Sequence, residues 1–235
     1  MATQLQILNQ VQRRLRETQT ASVATSEYST LLGDFINEAI EELNVVHDWT
    51  QLEAEVSVTL ASGTTTYDLT GTTNDSQLIF TDNNCPIAHL YDDGSDTTGE
   101  QLTYVNARAF ATLVAQDAAS STNEPPYFTL RPQNDADELE IIFWPEPSAT
   151  RTAKLRFWTP QAPLAVDGTD DATQVYLPNR PLVLGALYMA LNERGEEIGE
   201  PGNIAEQRYL SALGDAVYND IILRGRTNAF EFWRD

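Results

Sequence analysis

SEYSTLLGDFINEAIEELNVVHDW, Ser26 to Trp49, repeats its apolar residues at three- and four-residue spacing. Leu32, Phe35, Ile36, Ala39, Ile40, Leu43 and Val46 form the stripe of an amphipathic helix. Ser26 fits the N-cap position, where its hydroxyl can accept from an unpaired amide of the first turn. Glu27 then stands against the positive end of the helix dipole. Glu27, Asp34, Glu41 and Asp48 recur every seven residues, Glu38 lies beside them, and no Lys or Arg interrupts the stretch. A helix of about 30 Å is expected, at about 1.5 Å per residue. One wall would serve a core and the other would be wholly anionic. The acidic wall has two readings: a solvated face, or a face turned toward something that must not adhere.

Upstream, Leu5, Leu8, Val11 and Leu15 predict a helix over residues 4–18, with Arg13, Arg14 and Arg16 near its C-terminal end. The dipole favours cations there. Gln19 to Thr25 is a short polar connection, so an αα-hairpin is expected. Helical spacing returns near the other end of the chain. Leu184, Leu187, Tyr188 and Leu191 form a stripe from Pro181, and Gly195 suits a C-cap. Asn203 and Glu206 fit a capping box for a last helix that runs to about Leu223.

Between these ends the period changes from helix to strand. Val56, Val58 and Leu60 alternate with polar residues, and Thr65 to Leu69 follows a Ser-Gly turn, so 55–69 reads as a hairpin. Further short strands are expected at 77–80, 87–91, 102–105, 127–130, 138–144 and 152–158. A short helix is expected at 106–117, with Phe110, Leu113 and Val114 on its inner side. Pro145 and Pro147 break the chain between the last two strands. Gln161 to Thr173 is rich in Pro, Gly and Asp and reads as a linker. Helices at both ends can close one bundle only if the β segment is an insertion. The expectation is therefore an α+β chain. Residues 1–49 and 174–224 would form a discontinuous helical bundle, residues 50–173 a β-sandwich or barrel-like insertion, and 225–235 a tail.

Composition narrows the function. The 235 residues carry 35 acidic and 14 basic side chains, for a net charge of −21. Such a chain gains little counterion release on nucleic acid, and anionic membranes repel it. A single cysteine, Cys85, permits no internal disulfide and fits manufacture in a reducing cytoplasm. The N-terminus shows no secretion-signal pattern, and no apolar run approaches the ~20 residues of a membrane span. His47 and His89 stand on different elements; His47 reads as packing or helix-end charge. Cys85 and His89 lack the second pair that a zinc site needs. The acidic runs Asp92–Asp96 and Asp167–Asp171 do not match a calcium loop. Glu138 and Glu140 share a strand face without a sugar-binding cleft, and Trp144 and Trp158 read as sheet core. No nucleophile–base constellation is present, so no catalytic residue, metal ligand or cofactor is expected.

The opening helices resemble the head-to-tail adaptor proteins of tailed bacteriophages, also called tail tubular protein A or head-completion proteins. LTYVNARAFATLV, PPYFTLRP and ELEIIFWPEPSATRTAKLRFW are similar to that family's short helix, Pro-Tyr segment and strand ending in P-x-P. YLPNRPLVLGALYMALNERGE and the helix from Asn203 resemble its C-terminal pair. The resemblance implies a structural virion protein, made in the cytoplasm of the bacterial host. It would form a ring of many copies in the neck between portal protein and tail tube or nozzle protein, extending the DNA channel. Double-stranded DNA would pass without adhering, past Glu27, Asp34, Glu41 and Asp48. Other readings are a minor tail or neck component, a carbohydrate- or receptor-binding β module, and a small acid-dependent hydrolase. The tail Gly225–Asp235 carries Phe230, Phe232 and Trp233, three aromatics in the final six residues, after Arg226. Eleven residues cannot bury these alone, so they fold back or dock. The resemblance supplies the docking partners: the portal or a neighbouring copy.

Overall fold

The computed structural model describes residues 1–81, 85–92, 99–115, 126–133, 137–195 and 200–224. The chain runs β1 (Ala2–Thr3), α1 (Gln4–Arg14), α2 (Glu27–Val46), β2 (Glu53–Leu60), β3 (Thr66–Leu69), β4 (Gln77–Leu78) and β5 (Ala88–Asp92). It continues through β6 (Gly99–Gln101), β7 (Thr103–Tyr104), α3 (Ala107–Ala115), β8 (Tyr127–Pro132), β9 (Leu139–Trp144) and β10 (Arg151–Trp158). It closes with β11 (Gln174–Val175), α4 (Asn179–Glu193) and α5 (Glu200–Leu223). This is an α+β fold. Two compact units emerge, one of Met1–Leu52 with Gln161–Asp235, the other of Glu53–Pro160.

In the first unit, Ser26 caps α2 by accepting from the Ser29 amide at 3.1 Å, and Ser29 answers by accepting from the Ser26 amide at 2.8 Å. Leu32, Phe35, Ile36, Ala39, Ile40 and Leu43 are buried as the period requires. Val46 is not; it is 50% exposed, because the helix ends there and His47 turns extended. The first helix is shorter than expected. α1 stops at Arg14, since Leu15 is its C-cap and Arg16 has the left-handed φ of 61°. The last helix starts earlier than expected, at Glu200, so Asn203 lies inside it rather than capping it. A proline at position 201 suits the first turn, where its missing amide is no loss. Gly195 takes φ 73° just past α4, as its expected capping role requires.

α4 departs most from its expected pattern. Pro181, Leu182, Val183, Leu184, Gly185, Ala186 and Ala190 are buried, on all sides of its first half. It packs against α1, α2 and α5 together, so a single stripe at Leu184, Leu187, Tyr188 and Leu191 could not describe it. Leu187, Tyr188 and Leu191 are only half-buried. A Cβ on Gly185 would stand 3.3 Å from the Ala39 Cβ and 3.2 Å from the Tyr209 ring. The three helices meet where α4 has no side chain.

Residues 161–173 are not a free linker. The Asn44 side chain donates to the Gln161 carbonyl and accepts from its amide. Asn37, seven residues earlier, does the same with Leu164 at 2.9 and 2.8 Å. The segment thus lies along α2 as a strap, with Leu164 buried beneath it. Where a boundary at 173 was expected, the first unit already begins at Gln161. Composition suggested a linker; paired amide hydrogen bonds from one helix face hold it as a strap instead.

In the second unit, one sheet has the order β2-β10-β5-β6 with β4 also on β10, and the other has the order β3-β9-β8-β7. Inward residues of both share one core, including Val56, Val58 and Leu60 of β2 and Leu139, Ile141 and Phe143 of β9. The expected hairpin 55–69 does not form: β2 pairs with β10, and β3 with β9. The turn carries the chain from one sheet to the other. Gly63 takes φ 75°, and the Tyr67 hydroxyl accepts from the Ala61 amide at 2.8 Å and reaches the Thr64 carbonyl at 2.8 Å. α3 is capped by Asn106 and buries Phe110; Val114, expected on the inner side, is exposed.

Candidate functional site

Glu27, Asp34, Glu38 and Glu41 are all exposed on one side of α2. Asp48 is exposed too, but it lies beyond the helix end, so the heptad line stops one member short. The wall is not wholly anionic either. Val45, four residues after Glu41, continues the same face at 87% exposure, with Val46 beside it.

A second surface lies in the same unit. The end of α1, α4 from Leu184 onward and the start of α5 border a groove of about 730 Å³. Leu15, Leu184, Leu187, Leu191, Ile204 and Ala205 form its apolar lining, and Arg14, Arg16, Arg194 and Arg208 stand around it. Arg194 is held by Glu17 at 2.8 Å, by the Tyr28 hydroxyl and by stacking over the Tyr28 ring. Arg14, Arg16 and Arg208 are exposed and make no ion pair among the described residues. In a chain with 14 basic side chains against 35 acidic ones, four arginines stand around this groove among the described residues, with Arg194 paired to Glu17.

The far end of α2 is fastened by Asp220. Its carboxylate is 5% exposed and accepts from His47 Nε2 at 2.8 Å, from the Thr50 amide and from the Thr50 hydroxyl. Arg224 Nε lies 3.3 Å from it, and His47 also packs edge-on against Trp49. Nearby, burial and the hydrogen bond to Glu42 push the Tyr209 phenol well above its ordinary value and keep it protonated.

The other sequence candidates resolve differently. Asp167, Asp170 and Asp171 accept from the amides of Thr169, Ala165 and Val23, so their carboxylates shape the strap. The hydrogen bonds from Thr169 hold the Asp167 carboxyl below its ordinary value. Glu140 pairs across strands with Arg131. Cys85 is exposed. Among the described residues there is no cluster of three or more metal-ligating side chains, and no helix is long and apolar enough to cross a membrane. Residues 93–96 of the first acidic run lie outside the described residues. So does the whole tail, with Arg226, Phe230, Phe232 and Trp233.

The described residues form one helical unit drawn from both chain ends and one β-rich unit drawn from the middle. The family model described as SU10 adaptor protein matches residues 2–230. The chain belongs to the SU10 adaptor protein family. This is a phage adaptor-type family, structural and not a family of enzymes. None of the curated proteins compared with this chain matches it. In this family member, sequence reasoning missed the groove and Asp220. Arg14 and Arg16 were visible as a cationic helix end. Arg194 and Arg208 join them only because α4 and α5 pack against α1. Asp220 stands between Asn219 and Ile221 on α5, and its burial depends on His47 and Thr50, which are distant in sequence.

Proposed function

We propose that this SU10-family adaptor forms a ring between portal and tail, as tail tubular protein A-like proteins do. It extends the DNA channel and receives the tail tube or nozzle protein in the neck of the virion. The family match across nearly the whole chain carries the reading. The charge of −21 agrees with a wall past which DNA slides. The tail 225–235, through Arg226, Phe230, Phe232 and Trp233, docks on the portal or a neighbouring copy. Like-charged free subunits repel one another, so the ring forms on the portal. Electron microscopy of the purified protein mixed with its portal tests this. A ring stacked on the portal is expected, and a chain lacking 225–235 should fold but fail to attach. Monomers that never join the portal end the proposal.

Within that ring, Glu27 and Asp34 at the start of the acidic face border the channel. Glu27→Lys with Asp34→Lys should leave assembly intact and slow genome ejection, because each lysine adds a phosphate contact. Unchanged ejection kinetics would return these residues to the role of a solvated face.

A further inference from the structure

The arginine-rimmed groove and the acidic side of α2 are complementary in charge and in apolar content. We propose that the groove of one copy takes the C-terminal half of α2 from a second copy, with Glu38 and Glu41 meeting the arginines and Val45 and Val46 covering the leucines. This rests on the ring reading and names the surfaces that build the ring.

Charge argues first. Arg14, Arg16 and Arg208 face outward with no carboxylate of their own among the described residues, while Glu38 and Glu41 are exposed on a face without a cation. Opposite charges at a rim set partner choice and register. Shape argues second. Glu38, Glu41 and Val45 recur at i, i+3 and i+7, the spacing with which a helix lies in a groove. Val45 at 87% exposure stands in line with the carboxylates, where a wall meant only for water or DNA has no use for it.

The occupant must come from another copy. The groove sits by the start of α2, since Arg194 is bound to Tyr28. Val45 and Val46 sit at the other end, beside His47 and its partner Asp220. Val45 stands seventeen steps along α2 from Tyr28, about 26 Å at about 1.5 Å per step. No copy can lay its own helix end in its own groove. A surface at one end that meets a different surface at the other is heterologous, and such contacts make a ring when the rotation between copies closes. The contact leaves Glu27 and Asp34 to the channel.

Val45→Cys and Arg208→Cys together, in a Cys85→Ser background, should cross-link through a short bismaleimide when the full chain is assembled on its portal. The expected product is a ladder of dimers, trimers and larger species; either cysteine alone should give no ladder. A ring seen by microscopy in the same sample with no ladder overturns this interface and leaves the ring reading standing. No multi-copy assembly at all overturns both. Charge reversal is the second readout. Arg14→Glu with Arg208→Glu should lower ring yield roughly tenfold, about the effect of losing a pair of charge contacts. Adding Glu38→Arg and Glu41→Arg to the same chain should restore it. All four side chains are exposed, so circular dichroism should be unchanged in every variant. Loss without restoration overturns the pairing.

Discussion

Replacing Asp220 with alanine should destabilise the helical unit by roughly 3–5 kcal/mol, the usual cost of breaking a buried charge network. The carboxylate serves His47, the Thr50 amide, the Thr50 hydroxyl and Arg224 at once. These groups come from three places: the end of α2, the turn after it and the last turn of α5. Without the acceptor, His47 and the Thr50 amide lose a partner in a site that water does not readily reach, and each unsatisfied donor costs its desolvation. Asp220→Asn keeps one acceptor oxygen and should lose less. Urea unfolding followed by circular dichroism and by Trp49 fluorescence measures the difference. A loss under about 1 kcal/mol would mean that water replaces the carboxylate and the network is not closed.

Leu43→Ala should cost roughly 2–5 kcal/mol. Leu43 is fully buried on the face of α2 that packs against α4, and its carbonyl accepts from the Trp49 indole at 2.8 Å. Removing the isobutyl group takes away its transfer energy and leaves a cavity. Its neighbours cannot collapse freely, because Gly185 already brings α4 as near to Ala39 and Tyr209 as side chains allow. The same unfolding measurement reports it. A cost below about 1 kcal/mol would show that the site relaxes around the smaller side chain.

Much of this protein was legible from local pattern. The buried residues of α2 up to Leu43, the serine that caps it and the glycine that ends α4 follow from spacing and backbone geometry within a few residues. So does the alternation of β2, where Val56, Val58 and Leu60 face the core and Ser57 and Thr59 do not. The α+β class followed from the change of period along the chain. The exposure of Glu27, Asp34 and Glu41 followed from charge alone, since unpaired carboxylates are rarely buried.

Tertiary structure decided the rest, because it depends on partners distant in sequence. β2 and β3 look like a hairpin by proximity, yet each pairs along its whole length with a distant strand, β10 and β9, in different sheets. Residues 161–173 have the composition of a linker, yet Asn37 and Asn44 supply both donor and acceptor to their backbone from more than a hundred residues away. α4 has no single apolar stripe because three helices surround it, and a period can report only one buried face. The groove is the extreme case: its arginines lie at 14, 16, 194 and 208, and only the packing of α1, α4 and α5 makes them neighbours. A sequence shows which residues can serve a core or carry charge. Which charges share a surface is set by the long-range contacts that close the bundle from its two ends.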